Sequence, residues 1–523
     1  MAGTGAADTK PATFKPTVFF GAIAAISALI AAAVLDPDDA ADRFNAVQAW
    51  ATSNFGWLLV LTVNVMLITC GYLAFTRRGN VRLGGVKAKP QYSLPSWFAM
   101  LFSAGMGIGL LFYGVAEPVL HFSAPPLSAF SDPDAALVRG LAGNAQHAMG
   151  LTFLHWGLHA WGIYAIIGLS LAYICYNREL TLSIGSFLKE AFPRMPTFLV
   201  DLIDVLAITA TVCGVAASLG FGASQINAGL ALLTGLPETG LVKAILIAVI
   251  TALATISVAM GLDKGIRILS EVNMALAVGL ALFVLIAGPT VFLLDGFVQN
   301  IGYYLQQFVY LSTWTETYTA GEWQGSWTIF YYAWWISWSP FVGIFIARIS
   351  YGRTIREFIL GVLLVPTLFT FAWMTIFGDS ALYIELFGAG GLSEAVAASM
   401  PDALFAFLSH YPLSELASGL AIVIVATFFV TSADSGALVT AMIASGGHQE
   451  AGFTPRVTWA VAIGVLAGAL LWSGGMGALQ TAAIVTGLPF ALVLLAMTYG
   501  LLRMLAERRV FDTGRRLSDD DGD

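Results

Sequence analysis

Charge is what this sequence has least of. Asp, Glu, Lys and Arg make up 11% of its 523 residues, and hydrophobic residues make up 58%. A soluble domain carries roughly 25% charged residues. That shortage excludes a water-soluble enzyme of this size, and the apolar excess excludes a disordered chain. Cysteine is scarce as well. Cys70, Cys175 and Cys213 all fall in apolar runs, and none belongs to a CxxC pair. Neither a disulfide framework nor a zinc site follows from them. No HExxH, GxSxG or P-loop pattern occurs, and the polar segments are too short for a sensory domain. A carrier therefore stands ahead of an enzyme or a receptor. No cleavable leader is expected: a polar start, Met1 to Lys15, leads into an apolar run, Pro16 to Leu35, long enough to span.

What the chain does have, again and again, is runs of about 20 apolar residues, the length that crosses a bilayer as a helix. Outer-membrane strands would alternate apolar and polar residues instead. We place twelve spans at 17–36, 57–76, 97–117, 145–175, 199–222, 241–261, 270–295, 327–349, 358–380, 416–443, 456–473 and 480–505. With both termini assigned to the cytoplasm, every one of the 24 lysines and arginines except Arg43, Arg139 and Lys243 falls on the inside. The expectation is an all-α polytopic protein of the plasma (inner) membrane. Residues 296–326 lack Lys and Arg but hold Tyr303, Tyr304, Phe308, Tyr310 and Trp314, which reads as an amphipathic helix at the outer interface. Residues 381–415 are similar, with more Gly and Ala, and the inside stretch 177–198 also reads as helical. The acidic end, Ser518 to Asp523, reads as disordered.

Four stretches are more than lipid anchors. Gly105, Gly107 and Gly109 alternate in mid-span, and each weakens a helix by about 1 kcal/mol. Irregular backbone at that depth is tolerated where it is buried in protein or lines a cavity. Two readings stand: close packing through small residues, or carbonyls freed to hold a cation. At about 100° per residue, Trp156, Trp161 and Tyr164 share one helix face, as do Trp334, Trp335 and Trp338. Ser339-Pro340 breaks the hydrogen-bond ladder beside the second face. Aromatic faces attract a cation without hydrogen bonding to it, which is what a quaternary ammonium requires. His155 and His159, at i and i+4, lack the glutamate of a zinc helix and read as polar packing. Thr431 and Ser432 offer hard oxygen ligands for a small cation. Asp434, ionisable within or near its span, serves either function or a helix–helix hydrogen bond.

The segments GMGIGLLFYGVAEP (105–118), WWISWSPFVGIFIARISYGRTIREF (334–358) and FFVTSADSGALV (428–439) resemble the betaine/carnitine/choline transporter family. The resemblance implies twelve transmembrane helices with a leucine-transporter-like core of two inverted five-helix repeats. The divisions would be a tail at 1–16, two peripheral helices and a basic loop at 17–96, and a first repeat at 97–296. An outer interfacial helix at 297–326, a second repeat at 327–505 and a tail at 506–523 would follow. It implies a sodium symporter with alternating access that imports a zwitterionic quaternary ammonium solute, glycine betaine or a close analogue. A proton-coupled choline importer, a carnitine-type exchanger and a dimethylsulfoniopropionate carrier remain as alternatives. Homotrimers joined through the outer helix, and no nucleic-acid partner, are implied as well.

Carried over by motif, Trp156, Trp161, Tyr164 and Trp335 resemble the family's central aromatic box. Trp338 with Trp334 resembles the inner aromatic station, and Met106, Gly105, Gly107 and Gly109 line the same cavity. One sodium site would use backbone oxygens of Ser103, Met106 and Phe428 with the hydroxyls of Thr431 and Ser432. A second would use Thr211 and a threonine four residues on, with Tyr164 and Phe341 as further partners. Val215 occupies that second threonine position, so one sodium or two stays open. Gly109 stands where the proton-coupled choline carriers place an aspartate, which implies a zwitterion and sodium. Tyr332 replaces a tryptophan of the betaine carriers, and the tail after Arg503 lacks their long basic extension.

Overall fold

The computed structural model describes residues 14–35, 37–105, 107–126, 137–260, 263–319, 321–448 and 451–506. The expected acidic tail lies outside them. Among the described residues the chain is helical, with no strand beyond an isolated bridge between Arg82 and Thr354. The helices are α1 (Pro16–Val34), α2 (Pro37–Phe75), α3 (Leu94–Gly105), α4 (Ile108–Ser123), α5 (Leu137–Trp156), α6 (Leu158–Asn177), α7 (Ile184–Ala191), α8 (Thr197–Thr234), α9 (Gly240–Met260) and α10 (Asp263–Ala287). They continue with α11 (Thr290–Thr313), α12 (Trp323–Ser326), α13 (Thr328–Ile349), α14 (Ile355–Met374), α15 (Ser380–Phe387), α16 (Leu392–Ala398), α17 (Ala403–Leu408), α18 (Ser414–Ala444) and α19 (Phe453–Ala506).

Ten helical segments among the described residues are long and apolar enough to cross a membrane. Two features account for the difference from twelve. The span expected at 97–117 is divided into the short helices α3 and α4 around the alternating glycines. The spans expected at 456–473 and 480–505 run together as α19, across a non-helical Gly475 with φ 61° and ψ −146°. The packing shows that the chain reverses there. Gly464 meets Thr251 and Gly240 meets Trp472, so the first half of α19 runs antiparallel to α9. Beyond the bend, Gly220 of α8 meets Leu479, and Gly500 meets Phe187 and Ala191 back at the end where α8 begins.

Other expected edges move for local reasons. The span drawn to 295 ends at Ala287, because Pro289 cannot continue it, and α11 starts at Thr290. Of the expected outer helix at 297–326, the part up to Thr313 is the later part of α11. The span expected at 145–175 is interrupted at Gly157, between α5 and α6. A Cβ there would lie 2.4 Å from the Phe153 carbonyl oxygen and 2.8 Å from the Phe371 ring, so only glycine fits. Conversely, Ser339-Pro340 does not break α13. Proline leaves the Ile336 carbonyl without its i+4 donor, and the Ser339 hydroxyl donates to that oxygen at 2.7 Å.

Burial sorts the helices into an inner group and a lipid-facing group. α6 is buried at every residue from His159 to Ile174, whereas α9 buries only the stripe Ile247, Ile250, Thr251, Ala254 and Val258. A helix apolar on all faces but packed along one stripe turns the rest to lipid. The end of the bundle where the basic residues gather is held together by those residues. Arg356 donates to the carbonyls of Ala74 (2.7 Å) and Thr76 (3.2 Å) and to Asn80 Oδ1 (3.0 Å), which closes the C-terminal end of α2. Thr354 and Glu357 form a capping box at the start of α14. Lys15 faces Asp204 and Asp201 at 3.7 and 3.9 Å.

Candidate functional site

α5, α6 and α13 place five aromatic side chains around one narrow cavity. Trp156, Trp161, Tyr164, Trp335 and Trp338 line it together with Ala160 and Thr370. Trp156 meets Trp335 edge-on, with ring centroids 5.0 Å apart and planes at 68°, and Trp161 meets Tyr164 at 5.4 Å and 77°. The cavity volume is about 40 Å³, little more than one water's share of about 30 Å³. The rings would have to part to admit an organic solute.

The break at Gly157 builds this cavity. It frees carbonyls that lie deep in apolar surroundings and need new donors. The Trp335 indole donates to the His155 carbonyl at 2.9 Å, and the Thr370 hydroxyl donates to the Trp156 carbonyl at 2.9 Å. The helix interruption thereby fixes one box residue and anchors the neighbouring helix. The buried Trp338 indole N–H has no hydrogen-bond partner. The box thus presents a ring of π faces.

The remaining expected residues fall around this centre. Trp334 lies outside the cavity lining. It stacks on Trp335 (4.6 Å, 17°) and donates to the Gly214 carbonyl at 3.2 Å. Trp338, expected at a separate station with Trp334, lines the same cavity as the box. Gly109 backs onto the indoles: a Cβ there would lie 2.8 Å from Trp156 and 3.0 Å from Trp334. Gly107 is roomier, with Trp338 at 3.9 Å. Met106 lies outside the described residues, as do the side chains of Ser103 and Gly105, so their half of the expected sodium set has no described geometry.

On α18, Phe428 is buried while Thr431 and Ser432 are half-buried. The Thr431 hydroxyl donates to the carbonyls of Thr427 and Phe428 at 3.1 and 3.2 Å. Such a hydroxyl keeps its lone pairs for another partner. On α8, the Thr211 hydroxyl donates to the Ala207 carbonyl at 2.8 Å. Val215 is fully buried and packs toward Gly436 of α18, where a Cβ would lie 3.3 Å from Val215 Cγ2. Phe341 packs edge-on to Trp338 at 5.3 Å.

Sequence reasoning missed a cluster directly behind the box. Glu117 of α4 is fully buried. Its Oε1 contacts His155 Nδ1 at 2.6 Å and His121 Nε2 at 3.3 Å. Its Oε2 accepts the Trp156 indole N–H at 2.7 Å and the Tyr331 hydroxyl. The signal was available, since an ionisable residue inside a span is a functional candidate by default. The ligand atoms of Glu117, His121 and His155 lie within 4.8 Å of one another, the spacing of a metal site. Each is already engaged in a hydrogen bond to the carboxylate, which fits a hydrogen-bonded hub better than a metal centre. His155 and His159 do not converge; His159 packs against Tyr332 and Phe308.

A larger cavity lies elsewhere. It has a volume of about 500 Å³ and sits between α2 and the segment 315–329, lined by polar residues such as Asn45, Gln48, Glu316 and Glu322. Trp57 is the one aromatic ring in its lining. The smaller cavity is the one with convergent chemistry.

A family model described as BCCT, betaine/carnitine/choline family transporter, matches residues 17–510. A glycine betaine transporter of Acinetobacter baylyi is 44% identical over 500 residues, 94% of this chain and 74% of the relative. The glycine betaine transporter OpuD of Bacillus subtilis is 43% identical over 496 residues, 94% of this chain and 95% of the relative. A high-affinity choline transport protein of Escherichia coli is 40% identical over 499 residues, 94% of this chain and 72% of the relative.

Proposed function

The chain belongs to the betaine/carnitine/choline transporter family, and from that premise we propose that it imports a zwitterionic quaternary ammonium solute, glycine betaine first, by sodium symport. The observation that carries the reading is the five-sided aromatic box. A trimethylammonium group offers no N–H, so π faces recognise it where hydrogen-bond acceptors cannot. No carboxylate lines the cavity, which favours a zwitterion over choline, whose lone positive charge would call for one. The tight fit of the indoles over Gly109 supports the same preference.

Sodium coupling rests on the Thr431 and Ser432 hydroxyls and on the family resemblance. Val215 offers no oxygen to a second ion, so one sodium per solute is the reading we adopt. The basic end of the bundle would face the cytoplasm. The test is isotope-labelled glycine betaine uptake into proteoliposomes under an imposed sodium gradient or an imposed proton gradient. Uptake driven by sodium alone is expected. Uptake driven by protons, or equally fast without either gradient, would replace symport with proton coupling or exchange.

A further inference from the structure

The Glu117 cluster has no part in the function so far described, yet it touches the box at two points. One oxygen of its carboxylate accepts the Trp156 indole N–H at 2.7 Å, the short end of the N–H···O range. The other contacts His155 Nδ1 at 2.6 Å, and the backbone carbonyl of that same His155 accepts the Trp335 indole N–H at 2.9 Å. Tyr331, a second donor to Glu117, stacks on Trp335 with centroids 5.7 Å apart. An ionised carboxylate has two oxygens and about four acceptor positions, and no donor of its own. Two donors meet Oε2, the Trp156 indole and the Tyr331 hydroxyl, and His155 and His121 meet Oε1, each a donor in the tautomer that places its proton on the contacting nitrogen. With Oε2 already accepting two donors and both histidines in their donating tautomers, the carboxylate is the form we adopt for Glu117. His155 is itself held from behind by Thr328 Oγ1 at 2.9 Å.

A hydrogen bond to a carboxylate is roughly twice as strong as a neutral one, and hydrogen-bonded groups in a low dielectric polarise one another. Drawing the indole N–H toward a negative oxygen leaves the ring face richer in electrons. The attraction of a cation to that face is electrostatic. We propose that Glu117 is a positioning residue for the aromatic box, fixing the Trp156 indole and strengthening the π face it presents to the onium group. The inference rests on the betaine reading, because it has consequences only if a cation sits against Trp156. Glu117 would then supply negative charge one indole away, where it cannot form a direct ion pair with the solute.

The test is a double-mutant cycle on glycine betaine uptake by purified protein in liposomes. Glu117→Gln keeps the size and removes the charge. Trp156→Phe keeps a ring and removes the N–H. Glu117→Gln should raise KM about tenfold and leave the maximal rate within about twofold. Because Glu117 acts through the Trp156 N–H, the double variant should be no worse than the weaker single variant. Unchanged KM in Glu117→Gln, or fully additive effects, would overturn the proposal.

Should Glu117→Gln fold poorly, β-(3-benzothienyl)alanine at position 156 removes the N–H from an otherwise isosteric ring and leaves Glu117 untouched. A raised KM supports the proposal, and an unchanged KM overturns it. Trp335→Leu, run in parallel, removes a π face without touching the carboxylate. If Trp335→Leu raises KM and the Glu117 and Trp156 variants do not, only the role of Glu117 falls. If none of them raises KM, the box is not the binding site and both readings fall.

Discussion

At the residue scale, the box depends on what its glycines leave out. A Cβ at Gly109 would press on both Trp156 and Trp334, whereas one at Gly107 meets Trp338 only at ordinary contact distance. Gly109→Ala is therefore expected to lower betaine affinity about tenfold or more, by displacing an indole, and Gly107→Ala to change it little. Uptake kinetics on the two variants check this, and equal effects would detach Gly109 from the indoles. An aspartate at Gly109 would meet the same crowding, so it would not turn this protein into a choline carrier without movement of the rings. The aromatic residues themselves were legible in the sequence, because membrane tryptophans normally gather at span ends and these lie well inside. Glu117 stands out less, because it follows the alternating glycines in the same segment. His121 sits four residues on in α4, but the other partners come from α5 and α13, 38 to 214 positions away, and no local pattern announces those.

At the element scale, interruptions of helices are where sequence and structure part company. The alternating glycines did mark a true break, between α3 and α4. Proline at 340 suggested another, but one hydroxyl repaired the ladder. The break at Gly157 went unseen because one glycine in an apolar run weakens a helix only modestly, and the contact that demands it comes from Phe371, in a distant helix. The helical-wheel argument for Trp156, Trp161 and Tyr164 assumed a continuous helix. The three do line one cavity, although two helices supply them.

The loop ahead of α14 makes a similar demand. Gly352 has φ +79°, and a Cβ there would lie 2.3 Å from the backbone of Lys89. Gly352→Ala should cost about 1–3 kcal/mol of stability through that collision. It lies past the end of α13, away from the box residues Trp335 and Trp338, so KM in the folded fraction should hold. Thermal melting in detergent together with uptake kinetics checks both halves, and an unchanged melting temperature would contradict the first.

At the scale of the whole molecule, hydropathy and the placement of Lys and Arg made the membrane class legible before any helix was seen. The count was less so. Short broken helices and a reversal at a single glycine both escape a criterion based on length. The size of the driving force also belongs to this scale. One sodium crossing 100 mV contributes about 2.3 kcal/mol, and a tenfold concentration gradient adds about 1.4 kcal/mol. Together they support solute accumulation on the order of 10²–10³-fold. Glycine betaine is neutral overall, so its own crossing neither adds to nor subtracts from the electrical term.

All of this depends on recognition of a cation by π faces rather than of a shape by an apolar hole. The measurement that separates the two is equilibrium binding to the purified protein in sodium, with glycine betaine compared against tert-butylacetate. The latter has the same outline with carbon in place of the charged nitrogen. If rings contribute up to about 2 kcal/mol each, the carbon analogue should bind at least about a hundredfold more weakly. Equal affinity for the two would contradict the account.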